Sequence, residues 1–179
     1  LIALLAFDLN IAWVGFAPAV DTTLLDQTPA AIAALQQDND AVNGMKLWRV
    51  TTYEPNGQIH NKPANANMLW SFGLQDVRGY DSIIPKQYVD YLKAIEPQGD
   101  LLYNRISPLR ERASLESPLI DLLGVKYVLT ENTIDTPGFE PAGQFGALRV
   151  YRNTRVVSRA YSMAATSTLP PDPTLSLDN

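Results

Sequence analysis

Cysteine is absent from this chain of 179 residues, and histidine occurs once, at His60. Without cysteine the chain has no disulfide framework, no thiolate zinc site and no cysteine nucleophile. With one histidine, a metal site built from several histidines is excluded, and a serine–histidine–aspartate triad would have to use His60. These two absences remove the commonest forms of nucleophilic and metal chemistry.

Basic charge is also scarce, because 14 lysines and arginines face 19 aspartates and glutamates and leave a net charge of −5. A protein that binds DNA or RNA needs a basic face that displaces counterions from the phosphates. The composition therefore argues against a nucleic-acid partner. Two further patterns are missing from the sequence: the Gly-x-Ser-x-Gly turn of serine hydrolases and the glycine-rich loop that cradles phosphates.

Apolar and charged residues occur in ordinary globular proportions, at 46% and 18% of the chain. That balance supplies enough apolar material for a core, and a length of 179 residues favours one domain with short appendages. Helical and strand patterns intermix along the chain without strict alternation. The sequence therefore predicts an α/β or α+β fold, a single layered domain with a mixed β-sheet and helices packed on it.

The clearest local pattern is the run SPLIDLLGVKYVLT at 117–130. Ser117 suits the position that caps a helix, a proline follows it, and Gly124 suits the residue that ends a helix. Residues 125–130 are rich in β-branched and aromatic side chains and predict a strand. The predicted buried face of the helix comprises Leu119, Leu122 and Leu123.

Other stretches predict further elements from weaker start and stop signals. Thr28 and the following Pro29 suit the first positions of a helix. An alternating pattern predicts a strand near 46–53, and FEPAGQFGALRVYRN predicts a hairpin that turns at Phe145–Gly146. The run VVSRAYSMA at 156–164 predicts a last strand.

The chain opens with LIALLAFDLNIAWVGFAP, in which Asp8 is the only ionisable side chain. A membrane-spanning helix needs about 20 mostly apolar residues, and an ionisable group deep in a bilayer is costly. We therefore expect Leu1–Phe7 to be the outer end of a spanning helix. Asp8 and Asn10 would then meet the lipid headgroups, and Trp13 would lie in the interfacial belt. The alternative is an ordinary buried helix of a soluble protein.

Three stretches occur in an order and spacing that resemble a known family. They are PANANMLWSFGLQDVRGYDSIIPKQYVDYL, LIDLLGVKYVLT and LRVYRNTRVVSRA. Together they resemble the extracytoplasmic part of YfhO-type bacterial membrane proteins. In that family an Asn-containing segment and a Gly-Tyr-Asp motif precede a helix and a later Leu-Gly-Val-Lys-Tyr strand. The chain departs from the family at Ser158–Ala160, where a Pro-Arg-Ala-like step is usual.

The resemblance implies three parts of the chain and a larger parent. Residues 1–20 would be the end of a transmembrane helix and a juxtamembrane segment, 21–165 an extracytoplasmic α/β domain, and 166–179 a proline-rich linker. The parent would be a polytopic protein of the cell membrane, similar to C-superfamily glycosyltransferases that take sugar from a polyprenyl-phosphate donor. The key carboxylates of such enzymes lie in membrane-proximal loops outside this chain, so no catalytic residue is carried over.

The expected role of the chain is therefore accessory: it would cover the membrane active site or hold a glycan acceptor. Its partners would be the membrane-embedded remainder of the same polypeptide and a glycan or polyprenyl-linked sugar, with no cofactor and no metal in this chain. The alternative is a free-standing soluble carbohydrate-binding or structural protein. A third hypothesis is a small hydrolase that uses acids such as Asp76 and Asp81, which no known catalytic spacing positions.

Four residues around the Gly-Tyr-Asp motif are candidates for ligand binding: Asn65, Asn67, Tyr80 and Asp81. Amides, a carboxylate and an aromatic face suit the hydroxyls and ring faces of a carbohydrate. Gly79 permits a positive φ and therefore a sharp turn in front of Tyr80. The alternative interpretation is a structural corner that fixes Tyr80 in the core.

Two other patterns carry weaker hypotheses. The Asp-Asn-Asp run at 38–40 resembles a metal-binding carboxylate pair, but a calcium loop would place its glycine and glutamate elsewhere, which favours a solvated helix end. Arginines recur in two groups that could meet anionic lipid headgroups or a pyrophosphate, or could pair with the chain's own acids. The groups are Arg105, Arg110 and Arg112, and Arg149, Arg152, Arg155 and Arg159.

Overall fold

The computed structural model describes residues 2–13, 21–24, 27–42, 45–55, 64–98 and 105–161. The helices are α1 (Ile2–Trp13), α2 (Ala30–Gln36), α3 (Lys86–Lys93), α4 (Arg112–Glu116) and α5 (Pro118–Leu122), with 3₁₀ turns at Thr22–Leu24 and Met68–Phe72. The strands are β1 (Ala41–Val42), β2 (Met45–Lys46), β3 (Arg49–Thr52), β4 (Val125–Thr130), β5 (Phe139–Phe145) and β6 (Leu148–Asn153). The fold is that of a single α/β domain, which confirms the predicted class.

A four-stranded mixed sheet in the order β3-β4-β6-β5 forms the centre of the domain. Strand β3 runs parallel to β4, whereas β4 pairs antiparallel with β6, and β6 pairs antiparallel with β5. A parallel pair requires a long crossover connection, and the chain between β3 and β4, which carries α3, α4 and α5, supplies it. Strands β1 and β2 form a separate two-stranded antiparallel ribbon.

Helices cover both faces of the sheet, because neighbouring residues of a strand point to opposite faces. In β4, Val128 packs in a cluster with residues of α3, α4 and α5, while Leu129 packs with α2 and the Met68–Phe72 turn. In β6, Tyr151 and Val150 divide between the same two clusters. The domain therefore has three layers, with one apolar core on each side of the sheet.

The run at 117–130 folds largely as its sequence predicts. Ser117 caps α5 by accepting a hydrogen bond from the Leu119 N–H at 3.3 Å, and Gly124 ends the helix with a φ of +75°. Strand β4 occupies the predicted residues 125–130.

The predicted buried face of α5 is only partly correct: Leu119 and Leu123 pack against the core, and Leu122 does not. Ile120 and Asp121 are buried, Leu119 and Leu123 are half-buried, and Leu122 is 50% exposed. The helix has only five residues. So short a helix shows too few repeats of the 3.6-residue period for leucine spacing to identify the buried side.

Two predicted boundaries shift by one residue, and one predicted strand does not form in the described residues. Helix α2 begins at Ala30 with Pro29 in the capping position, so the predicted cap at Thr28 is wrong. The hairpin forms with Phe145 opposite Leu148, so its two turn residues are Gly146 and Ala147. In the described residues, the chain from 156 to 161 forms no strand.

The strand predicted near 46–53 is shorter and does not alternate. Strand β3 covers Arg49–Thr52, and Val50, Thr51, Thr52 and Tyr53 are buried in succession. Continuous burial is expected for a strand with a helical layer on each face. The alternating pattern therefore indicated a strand but not its two-sided packing.

Helix α1 differs from α2–α5 because none of its residues is buried. The interpretation of this segment as an ordinary buried helix is therefore wrong. No helix in the described part of the chain is long and apolar enough to cross a membrane. Residues 14–20 and 162–179 lie outside the described residues, so the predicted boundaries at 20 and 165 and the linker at 166–179 stay predictions. The large apolar side chains of α1, exposed by 58–85%, are Ile2, Leu4, Leu5, Phe7, Leu9, Ile11 and Trp13.

Candidate functional site

Three of the four candidate ligand residues lie around one surface cavity, which has a volume of about 330 Å³. Asn65 is not part of its lining, and its carbonyl oxygen accepts a hydrogen bond from the Met68 N–H at 3.1 Å. His60 and the other residues of the stretch 56–63 lie outside the described residues. The cavity is lined by Asn67, Trp70, Gln75, Asp76, Val77, Arg78, Gly79, Tyr80, Asp81 and Tyr88.

Asn67 shapes the cavity by holding the backbone of Tyr80. Its Nδ2 donates to the Tyr80 carbonyl oxygen at 2.7 Å, and the Tyr80 N–H donates to its Oδ1 at 3.3 Å. Asn67 has a φ of +68°, a left-handed conformation that asparagine tolerates better than most residues. Because both ends of the amide engage the Tyr80 backbone, Asn67 positions the aromatic residue.

The turn that the sequence places at Gly79 is wrong, because Gly79 does not have a positive φ. Its carbonyl oxygen accepts a hydrogen bond from the Ile106 N–H at 3.1 Å, and Tyr80 pairs antiparallel with Arg105. This pairing ties residues 79–80 to the segment at 105–106 in place of a sharp turn. The left-handed residue at this corner is Asn67.

Tyr80 is 51% exposed, so the interpretation of a corner that fixes it in the core is wrong. The Arg105 guanidinium lies 5.6 Å from the centre of its ring, within the range of a cation–π contact. Asp81 lies beside it and forms a local turn in which its Oδ1 accepts from the Ile83 N–H at 3.4 Å. The cavity rim therefore presents an aromatic ring and a carboxylate side by side.

Trp70 is a second aromatic residue of the cavity that the sequence analysis did not single out. It lies in the 3₁₀ turn at Met68–Phe72 and is 78% exposed, whereas its neighbour Leu69 is fully buried in the core. The buried leucine anchors the turn and leaves the indole ring outward. The dipeptide Leu-Trp alone gave no signal for this, because tryptophan is usually largely buried.

The inner wall of the cavity is a buried ion cluster. Arg78 donates to Asp76 through two hydrogen bonds, Nε to Oδ1 at 3.2 Å and Nη2 to Oδ2 at 2.7 Å. Its Nη2 also donates to the Ala64 carbonyl oxygen at 3.0 Å, and its Nη1 lies 3.7 Å from a Glu54 carboxylate oxygen. Thr52 donates a further hydrogen bond to Glu54 at 2.9 Å. Bidentate pairing of this kind fixes both partners in one geometry.

This ion cluster bears on the hydrolase hypothesis. A general acid or base must reach the substrate, but both Asp76 oxygens accept from Arg78 and only 3% of the Asp76 side chain is exposed. Asp81 is thereby left as the acid with solvent-facing oxygen at the rim. The arrangement suits binding of polar groups better than two-carboxylate catalysis.

Tyr88 closes the cavity on the α3 side. Its hydroxyl donates to the Val77 carbonyl oxygen, and burial raises the pKa of Tyr88 to about 12. The phenol therefore stays protonated at neutral pH and acts as a fixed donor to the backbone. Gln75, another residue of the cavity lining, accepts a hydrogen bond from Arg159 through its Oε1.

The Asp-Asn-Asp run at 38–40 is not a free carboxylate pair. Asp38 Oδ2 accepts from the Tyr127 hydroxyl at 2.6 Å and from the Lys126 Nζ at 2.7 Å. Burial raises the pKa of Asp38, but the hydrogen bonds from Lys126 and Tyr127 outweigh it and lower the value to about 2. Asp38 therefore anchors the end of α2 to β4. Within the described residues, no three histidine or acidic side chains come together as metal ligands.

Three of the seven arginines in the two groups form salt bridges within the protein. Arg112, Arg152 and Arg155 form salt bridges with Glu116, Glu140 and Asp121. Among these, the Arg155 bridge is the most enclosed, and its Nη2 also donates to the Leu115 carbonyl oxygen at 2.8 Å. For these three, pairing with the chain's own acids is confirmed.

Comparison of the chain with protein-family models, with curated proteins and with solved structures finds no match.

Proposed function

We propose that this chain is an accessory domain of a membrane protein, anchored by α1, that holds a saccharide at its surface cavity without catalysing a reaction itself. The observation that carries the saccharide assignment is the cavity rim. There, exposed Trp70 and Tyr80 rings stand next to the Asp81 carboxylate above a wall of paired charges.

The chemistry of the rim matches that of a sugar. A pyranose ring has an apolar C–H face that packs on an aromatic ring, and hydroxyl groups that need acceptors. Trp70 and Tyr80 supply the apolar surface, and Asp81 supplies acceptor oxygens. Hydrogen bonds of Asn67 and of the Arg78–Asp76 pair already hold the cavity walls in place. Ligand binding should therefore cost little further conformational entropy.

Calorimetric titration with tetrasaccharides of glucose and of N-acetylglucosamine tests this assignment. We expect at least one of the two to bind, and Trp70→Ala to weaken that binding about tenfold, or about 1.4 kcal/mol, because the variant loses the apolar contact area of the indole ring. Tyr161→Ala removes an aromatic residue of similar exposure (61%) outside the cavity lining and should leave the affinity unchanged. Equal effects of the two substitutions would refute the site.

The membrane assignment rests on α1. A helix that is apolar on all sides normally lies in a protein core or in a bilayer, and no residue of α1 is buried. We propose that lipid covers it, with Trp13 at the interface, where tryptophan is enriched. A resemblance to YfhO-type proteins supports placing the domain on the extracytoplasmic side, next to a polytopic parent similar to polyprenyl-phosphate-sugar-dependent glycosyltransferases.

Flotation with phosphatidylcholine vesicles tests the anchor. The chain should float with the vesicles, and a double substitution of Leu5 and Leu9 by lysine, on one side of α1, should leave it in the soluble fraction. Leu122→Lys, at a leucine of α5 that is 50% exposed, is the matched control and should still float. Flotation of the double variant would show that α1 is not the anchor.

The alternative function is a free-standing soluble carbohydrate-binding protein. It is favoured by the two apolar cores, which contain no residue of α1. That alternative predicts saccharide binding without flotation, so the two experiments together separate it from the membrane domain. In either case, incubation with a polyprenyl-phosphate sugar should give no turnover by the chain alone.

A further inference from the structure

Two arginines, Arg49 and Arg159, converge beside the cavity. Arg159 donates from Nη2 to Gln75 Oε1, and Gln75 belongs to the cavity lining. Arg49, at the start of β3, donates from Nη1 to the Leu123 carbonyl oxygen at 2.5 Å. A methyl carbon placed on Gly124 would lie 3.9 Å from Arg159 Cγ and 4.0 Å from Arg49 Nη1, so both side chains meet over one point of the backbone.

Neither arginine is neutralised by the described part of the chain. Arg78 and Arg155 each form salt bridges with carboxylates, but Arg49 and Arg159 form none among the described residues. Asp76, the acid of the cavity wall, is held by Arg78. The Nε of Arg159 is buried and has no hydrogen-bond acceptor among the described residues.

This arrangement is electrostatically unfavourable in the free protein. Burial, and then the neighbouring charge of Arg49, lowers the pKa of Arg159. Even so, an arginine stays protonated at neutral pH, so two like charges lie near each other and a buried Arg159 donor lacks an acceptor among the described residues. An anion between the guanidinium groups would relieve both the repulsion and the missing hydrogen bonds.

We propose that Arg49 and Arg159 form an oxyanion subsite at the edge of the cavity, suited to the phosphate group of a phosphorylated saccharide. This inference rests on the proposed function, since the cavity would hold the sugar while the arginines hold its phosphate. Guanidinium groups match phosphate because their N–H donors are arranged in a planar fork that binds two oxygens at once. Both side chains are half-buried and thus partly open to solvent.

Calorimetry of the full chain in a zwitterionic, sugar-free detergent tests the subsite. The probes are inorganic phosphate, glucose 1-phosphate and glucose, at constant ionic strength. We expect phosphate to bind, glucose 1-phosphate to bind at least tenfold more tightly than phosphate, and Trp70→Ala to remove that gain. Equal affinity for the two phosphates would overturn the proposal, because the sugar would then not reach the cavity.

The variants separate the arginine pair from general charge. Arg159→Gln and Arg49→Gln should each abolish phosphate binding, whereas Arg152→Gln, at an exposed arginine paired with Glu140, should retain it. Arg159→Gln should not lower the midpoint temperature of thermal unfolding, because it removes a repulsive charge. The same measurements on Arg49→Gln test the second position of the pair. Phosphate binding that survives both substitutions, or that the unaltered chain lacks, would overturn the subsite. Such a result would leave binding of the neutral tetrasaccharides, and so the proposed function, standing.

Discussion

Helix α1 and the rest of the domain, the described residues from 27 to 161 that we call the body, differ in how far their apolar side chains are buried. In the body, strand β4 alternates Val128 and Leu129 between two cores, and both side chains are almost completely buried. In α1, every large apolar side chain is more than half exposed. An isolated helix of about 12 residues is marginal in water. The body is therefore stabilised by its own packing, whereas α1 buries none of its residues.

The same contrast holds for charged groups. The body buries Glu96 and gives it three donors, the N–H groups of Arg110 and Glu111 at 2.9 and 3.1 Å and the Ser114 hydroxyl at 2.6 Å. Buried charges are tolerated when they are paired or hydrogen-bonded in this way. In α1 the single charge, Asp8, is exposed with the rest of the helix. The body is therefore specified by matched interactions, which substitutions can break.

The largest effect is expected at the ion cluster of the cavity wall. Arg78→Met leaves the Asp76 and Glu54 carboxylates buried without their cation, which costs about 3–5 kcal/mol of unfolding free energy. Arg112→Met breaks an exposed pair with Glu116 and should cost less than about 1 kcal/mol. Urea unfolding followed by circular dichroism measures both. Similar losses for the two variants would mean that the wall is not a buried cluster.

The next prediction compares the loss of unfolding free energy for the same substitution in the body and in α1. Leu129→Ala creates a cavity in the core and should cost about 2–5 kcal/mol. Leu5→Ala makes the same chemical change in α1, where 64% of the side chain is exposed, and should change the unfolding free energy by no more than about 0.5 kcal/mol. The same urea unfolding applies. A loss of several kcal/mol for Leu5→Ala would place α1 in the core after all.

The smallest effect concerns pH and the link between α2 and β4. Hydrogen bonds lower the pKa of Asp38 from 3.8 to about 2, so its stabilising contribution is present above about pH 4 and is lost as the pH falls toward 2. The contribution amounts to about 2 kcal/mol. Asp38→Asn should flatten the acid limb of the profile of unfolding free energy against pH over this window. An unchanged profile for Asp38→Asn would contradict the assignment.

The sequence predicted well those elements whose signals are local. Ser117, Gly124 and the β-branched run of β4 act through their immediate neighbours, so cap, stop and strand could be placed from the residue types. The hairpin of β5 and β6 also followed from local turn chemistry, within one residue. The buried face of α5 could be predicted only in part, because the neighbouring layers of the fold decide which side of a one-turn helix is covered.

The candidate site was predicted in part for the same reason. The Gly-Tyr-Asp motif and Asn67 drew attention as local patterns, and three of the four chosen residues share one cavity. Trp70 and the arginine pair were not recognised as parts of it. Arg49 and Arg159 are far apart in the chain and meet only through the parallel pairing of β3 with β4 and the return of the chain after β6. Long-range pairing of this kind leaves no trace in a single sequence.

Hydrogen exchange of the backbone amides in phosphatidylcholine vesicles tests most directly the claim that lipid stabilises α1 while the body stabilises itself. We predict slow exchange for α1 in vesicles, and the same protection of β4 and β6 in the vesicle-bound chain as in the soluble Leu5/Leu9 lysine variant without vesicles or detergent. In that variant α1 should exchange like an unfolded peptide. Unprotected α1 amides in the vesicle-bound chain, or protected ones in the soluble variant, would contradict it.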